Sequence, residues 1–164
     1  MKRPRKAGSR VTVGGPLREA AVSLRVFGDD LRPADLSKRL GCRPTLTCGK
    51  GERLPGRRVT ARSGMWILES RTRRTLDLGK QIDALLDRVT SDPRVWRKLT
   101  ARFSVDLYCG LFPSREAQEV WFSPALLTRL AARQLSIGFD LYAPTVQVLS
   151  ALTTLGKRQP RLIP

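Results

Sequence analysis

The stretch Arg102 to Phe112, RFSVDLYCGLF, most constrains the fold, because Phe103, Val105, Leu107, Cys109 and Leu111 put an apolar side chain at every second position. Successive strand residues point to opposite faces, so this run is a β-strand with one covered face and one of different character. The alternation recurs in AVSLRVF, where Val22, Leu24 and Val26 oppose Ser23, Arg25 and Phe27. It recurs again in LSIGFDLYA, where Leu135, Ile137, Phe139 and Leu141 are assigned inward. MWILES reads as a further strand, and EVWF as a hairpin partner of the 102–112 strand. A sheet of this kind needs an apolar layer over one face.

Helical periodicity supplies that layer. LDLGKQIDALLDRVT sets Leu78, Ile82, Leu85, Leu86 and Val89 on one stripe, the signature of an amphipathic helix. RPADLSKRL opens on Pro33 and stops at Gly41, with Leu36 and Leu40 one turn apart and turned to the sheet. Asp92-Pro93 and Ser123-Pro124 each read as a cap followed by proline at the first helical position. The first opens a short helix through Val95, Trp96 and Leu99. The second opens a helix over ALLTRLAARQ with Leu127, Leu130 and Ala131 inward. Trp66, Trp96 and Trp121 fall in apolar surroundings and are expected in the core. The Gly-, Pro- and Arg-rich segment from Cys42 to Gly64 is long for a loop, so it is either functional or contains a small hairpin.

This order predicts an α+β fold: a two-layer sandwich, mostly antiparallel, with helices on one face and ferredoxin-like character. The domain spans 20–145, between a basic disordered tail at 1–19 and a basic C-terminal tail at 146–164. PADLSKR and PALLTRL agree at Pro33 with Pro124, Ala34 with Ala125 and Leu36 with Leu127. Either a duplicated unit or two similarly capped helices would give that agreement.

Asp-Leu-Tyr is written at Asp106 and again at Asp140, and Tyr108 and Tyr142 are the chain's only tyrosines. With Leu107 and Leu141 inward, Asp106, Tyr108, Asp140 and Tyr142 share the opposite face. Arg25 projects the same way from a strand expected alongside, within reach of Asp106. One reading is a surface ion-pair cluster worth about 0–1 kcal/mol per pair, with tyrosines filling space. The other is a site whose tyrosines give rigid contact area and whose charges set orientation. On that reading the chain is a non-enzymatic protein- or ligand-binding or regulatory domain, and this is the leading functional expectation.

The net charge of +17 invites polyanions, but it is unevenly placed. It concentrates in the two tails and in Lys50–Arg74. The alternative function is therefore a nucleic-acid-associated protein gripping phosphates through Lys50, Arg53, Arg57, Arg58 and Arg62 plus the tails. A GC-rich codon bias gives the same arginine excess without selection for binding. RNA on the sheet face itself is disfavoured, because a carboxylate beside each tyrosine repels the phosphates that follow stacked bases.

The chain has no histidine, which removes histidine triads, Cys-His nucleophile pairs and mixed Cys/His zinc sites. No catalytic motif, metal site or cofactor is expected. CGKGE around Lys50 lacks phosphate-loop spacing and reads as a turn. Cys42 and Cys48 lie near cations that could lower a thiol pKa, although ordinary semi-buried cysteines are the stronger expectation. Cys42, Cys48 and Cys109 have no CxxC spacing and suit reduced thiols. MKRPRKAGSRVTVGG has no apolar h-region, and no run approaches the roughly 20 apolar residues of a membrane span. A soluble cytoplasmic protein without a membrane partner is expected.

VFGDDLRPADLSKRLGCRPT, then GKGE, GMWILES, IDALLDRV and FSPALLTRLAARQLSIGFDLY, taken in that order, resemble the bacterial family called domain of unknown function 4279. The resemblance covers about residues 20–143. It implies a small bacterial cytoplasmic α+β domain with no established activity, and so no functional residues to carry over. The basic tails fall outside the resemblance.

Overall fold

Val22, Leu24 and Val26 alternate with Ser23, Arg25 and Phe27 along β1 (Glu19–Gly28), the central strand of a five-stranded sheet in a computed structural model of the chain. The structure describes residues 17, 19–71, 77–113 and 119–142. The tails expected at 1–19 and 146–164 lie outside these residues, apart from Leu17 and Glu19.

After β1 come α1 (Pro33–Leu40), β2 (Leu46–Cys48), β3 (Gly64–Glu69), α2 (Leu78–Leu86), α3 (Pro93–Thr100), β4 (Ser104–Phe112), α4 (Pro124–Ala132) and β5 (Ser136–Leu141). The sheet order is β2-β3-β1-β4-β5. β1 runs antiparallel to both β3 and β4, β2 runs antiparallel to β3, and β5 runs parallel to β4. The fold is therefore α+β with a mostly antiparallel open sheet. This order, with its parallel outer pair, does not establish the ferredoxin-like character expected.

One face of the sheet is buried under the helices. Ala20, Val22, Leu24 and Val26 of β1 and Val105, Leu107, Cys109 and Leu111 of β4 join a single core with the helix residues. Leu36 and Leu40 contribute from α1, and Ile82, Leu85 and Leu86 from α2. Trp96 and Leu99 contribute from α3, and Leu126 and Leu130 from α4. Burying a leucine or phenylalanine in such a layer contributes about 1.5–3 kcal/mol, which is why strand parity is enforced. Trp66 and Trp96 are fully buried, and each indole N–H finds an acceptor: Ser37 Oγ at 3.0 Å and the Thr90 carbonyl at 2.8 Å.

Helix starts follow the expected chemistry. Asp77, Asp92 and Ser123 each accept a backbone N–H of the first turn, and Pro93 and Pro124 stand at the first position. Gly41 ends α1 at φ 73°, a left-handed conformation that glycine takes without a Cβ penalty, and its N–H donates to the Ser37 carbonyl. The segment Cys42–Gly64 does contain a hairpin. β2 pairs with β3, and beyond it an Arg53–Thr60 bridge closes a tight excursion, with Leu54 N donating to the Val59 carbonyl at 2.8 Å.

Several expectations are corrected. EVWF is not a strand: residues 119–123 are irregular, and β5 takes the free side of β4 in parallel after the α4 crossover. Trp121 consequently lies in a connection and is 59% exposed, its indole N–H donating to Glu119 Oε2. In α4 the inward leucines are Leu126 and Leu130; Leu127 is 51% exposed and Ala131 is exposed. The cause is sideways docking. Arg129 bridges Asp83 and Asp87 of α2, and Arg133 lies over Trp96 of α3, so these contacts set the rotation of α4.

That rotation also weighs against the duplication. Leu36 is buried where its counterpart Leu127 is not, and β1 meets β3 antiparallel whereas β4 meets β5 parallel. On β5 the expected side is right, since Ile137, Phe139 and Leu141 register with buried Leu107, Cys109 and Leu111. Phe139 and Leu141, both expected inward, are nevertheless 40% and 71% exposed on this edge strand, and only Ile137 is partly buried.

Candidate functional site

The face opposite the helices is built by the odd-numbered residues of β1 and β3 and the even-numbered residues of β4 and β5. Arg25 sits in direct register with Asp106, Ser23 with Tyr108, and Tyr108 with Gly138. The chain continues past β5 to Tyr142, whose N–H donates to the Leu111 carbonyl at 2.9 Å. All five residues expected to share a face, Arg25, Asp106, Tyr108, Asp140 and Tyr142, are therefore brought together.

Their contacts run as a chain. Arg25 donates through Nε to Asp106 Oδ1 at 2.7 Å and through Nη2 to Oδ2 at 3.0 Å, a two-pronged, charge-assisted pair. The guanidinium also lies 4.1 Å from the Tyr108 ring centroid and 5.7 Å from that of Phe27. Tyr108 Oη donates to Asp140 Oδ2 and lies 3.2 Å from Tyr142 Oη. Tyr142 in turn stacks on Phe112, with centroids 4.7 Å apart and planes 9° from parallel.

These contacts set the electrostatics. The hydrogen bonds that Arg25 donates to Asp106, with that carboxylate's charge, hold the Arg25 guanidinium above its ordinary pKa, against a smaller opposing effect of burial. The Tyr108 phenol is held above the ordinary tyrosine range, first by its hydrogen bond to Asp140 and then by that to Tyr142. It stays protonated at neutral pH, so it is a donor tied to a carboxylate and not a base. Asp140 keeps further lone pairs beyond that one bond, and it is exposed.

Small residues surround the tyrosines. Ala21, Ser23 and Gly110 floor the face beside Tyr108, and a Cβ at Gly138 would meet no atom within 4 Å. A shallow cavity of ≈110 Å³ opens between Ser23, Glu69, Ser70 and Tyr108. The strand residues of this face carry Glu19, Glu69, Asp106 and Asp140 against Arg25. Within a strongly cationic chain this is a locally acidic surface.

Glu69, Phe112 and Gly138 were missed as parts of this face. The signal was available for Phe112 and Gly138, which share strand parity with Asp106 and Asp140, whereas Glu69 lies on a strand with no residue assigned to either face and is placed only by its register with Ser23.

Lys50, Arg53, Arg57, Arg58 and Arg62 lie elsewhere, all exposed along the excursion between β2 and β3. Lys50 Nζ donates to Asp29 Oδ2 at 2.5 Å, while Arg53, Arg57, Arg58 and Arg62 make no ion pair among the described residues. CGKGE forms a turn, in which Gly49 N donates to Glu52 Oε2 at 2.6 Å. Burial pushes the Cys42 pKa up, against a weaker lowering by Arg88, and Cys48 is buried with Sγ 3.7 Å from the Glu52 and Arg53 carbonyls. Among the described residues no three His, Cys, Asp or Glu side chains converge as a metal site requires. No helix among them is long and apolar enough to cross a membrane.

Residues 18–144 match the model of a family described as Domain of unknown function (DUF4279), in agreement with the resemblance over residues 20–143. No curated protein and no solved structure matches the chain.

Proposed function

The chain belongs to the family described as Domain of unknown function (DUF4279), and from that premise we propose that it is a non-enzymatic binding domain of the bacterial cytoplasm. Its partner is a protein segment or small ligand rich in positively charged hydrogen-bond donors. One observation carries this reading: Tyr108, Asp140 and Tyr142 converge on an exposed acidic face with acceptor capacity left over. Arg25 is paired with Asp106, so Glu19, Glu69 and Asp140 leave this face with an excess of negative charge and of acceptor oxygens. Such a face complements a guanidinium or ammonium group, and the tyrosine rings add rigid apolar contact.

The test is an NMR titration with a tetra-arginine amide at physiological salt, where the long-range field of the chain is screened. Backbone amides of residues 138–142 should shift, and the shifts should disappear in Tyr108→Ala with Tyr142→Ala while the remaining spectrum stays dispersed. Unchanged binding by the double variant would sink the proposal.

The unpaired arginines of the excursion favour a second reading, in which nucleic acid is held through phosphates by Arg53, Arg57, Arg58 and Arg62 with Lys50 and the tails. It predicts steeply salt-dependent anisotropy with labelled single-stranded RNA and duplex DNA. Binding by residues 20–145 alone at physiological salt would support it. Binding that does not respond to salt counts against it.

A further inference from the structure

A cleft of ≈340 Å³ lies on the other side of the molecule, where the turn after β1 and the helix α1 meet the end of α3. Its floor is apolar: Leu31, Leu36 and Leu99 are buried, and Phe103 packs partly against the same core. Phe103 is fixed there by Gly28, since a Cβ at that position would overlap its ring. An adjoining cavity extends the floor past Val95 and Lys98.

The rim is cationic. Arg32, Arg39, Lys98 and Arg102 border the two cavities together with Asp30 and Asp35. Arg102 and Asp30 neutralise each other in an ion pair, and Arg102 also lies 5.2 Å from the Phe103 ring centroid. Arg32, Arg39 and Lys98 make no ion pair among the described residues, so they face Asp35 with positive charge in excess. The volume falls within the roughly 300–1,000 Å³ of small-molecule sites, and an apolar floor with a few convergent charges is their usual chemistry.

We propose that this cleft binds a small amphipathic anion, its apolar body on Leu36, Leu99 and Phe103 and its carboxylate or phosphate head between Arg32 and Arg39. The floor explains why a bare anion is a poor occupant, because it leaves the apolar surface wet. The rim explains why a neutral amphiphile is one as well, because it leaves the guanidinium donors without a charged acceptor. The site is separate from the sheet face and does not depend on the function proposed for it.

The experiment is calorimetric titration of the full chain with decanoate, decyl phosphate, decanol and inorganic phosphate, each below its aggregation limit. Saturable one-to-one binding of decanoate or decyl phosphate is expected, with decanol and inorganic phosphate at least about tenfold weaker. The stronger of the two anions identifies the head group. Arg32→Gln with Arg39→Gln should weaken that binding about tenfold or more, whereas Arg57→Gln with Arg58→Gln should leave it unchanged. Phe103→Ala should weaken it too; because that change could unfold the chain, the exposed Arg39→Gln alone serves as the second variant. The proposal is overturned if neither amphiphile saturates, if inorganic phosphate binds as tightly, or if both arginine pairs behave alike.

Discussion

Arg25→Met tests whether the ion pair at the centre of the sheet face holds the fold as well as the site. The Arg25 and Asp106 side chains are 29% and 26% exposed, so solvent screens them less than an ordinary surface pair. Two unit charges about 4 Å apart at an effective dielectric near 20 attract by about 4 kcal/mol, and desolvation of both groups offsets much of that. Fully exposed pairs give about 0–1 kcal/mol, and hydrogen bonds to charged groups about 1.5–3 kcal/mol. A coupling of about 1–2 kcal/mol lies between these bounds. Arg25→Met also removes the contact with the Tyr108 ring, worth about 0.5–1 kcal/mol at a partly exposed site. The single change should therefore cost about 2 kcal/mol, or a Tm fall of about 8 °C for a domain of this size. Urea unfolding of wild type, Arg25→Met, Asp106→Asn and the double variant gives the coupling directly. A coupling below about 0.3 kcal/mol, within the scatter of independent sites, would refute the reasoning and leave the pair as an orienting device alone.

Four further outcomes are expected. Burial pushes the Cys109 thiol from its ordinary 9.0 up to about 12, and Tyr108 is likewise raised above its ordinary 10.0, so the fold favours both protonated forms. Their stabilisation is complete below those ordinary values and lost as pH rises through the folded ones, so urea stability should fall from about pH 9 towards about pH 12, less so in Tyr108→Phe. Iodoacetamide at about pH 8 should modify the half-buried Cys42 of native protein before the buried Cys48 and Cys109, read by peptide mass; equal rates would contradict the burial described. Leu126→Ala should cost about 2–5 kcal/mol and Leu127→Ala within about 0.5 kcal/mol, and the reverse order would show that α4 is rotated as the sequence first suggested. Gly64→Ala should destabilise by about 1–3 kcal/mol, because its Cβ would come 2.8 Å from the Gly28 carbonyl oxygen, whereas Gly138→Ala should leave the thermal midpoint unchanged or raise it.

What the sequence made legible follows from how each element is stabilised. Strand parity is a local property with period two, so Arg25, Asp106, Tyr108, Asp140 and Tyr142 could be assigned to one face before any pairing was known. Helix starts carry their own chemistry, and the Asp92-Pro93 and Ser123-Pro124 signals held. The rotation of α4 did not follow from its own residues, because Leu126, Leu127, Leu130 and Ala131 allow either stripe. The choice is made by Arg129 reaching Asp83 and Asp87, from an element more than forty residues away. EVWF failed for a related reason: its alternation is real, but β4 has one free side, and β5 fills it. The α1–α3 cleft left no local trace, since Arg32, Arg39 and Arg102 look like ordinary surface arginines until the fold sets them around Phe103.

The parallel β4–β5 pair also has a consequence in time. Asp140 and Tyr142 are among the last described residues to leave the ribosome, while Arg25, Asp106 and Tyr108 have been available much longer. Until α4 has crossed over, β4 presents a bare sheet edge, and Tyr108 lacks both hydroxyl partners. The acidic face is thus completed only once β5 has been made and has paired with β4, so competence to bind through it would be withheld from a chain whose β5 is not yet in place.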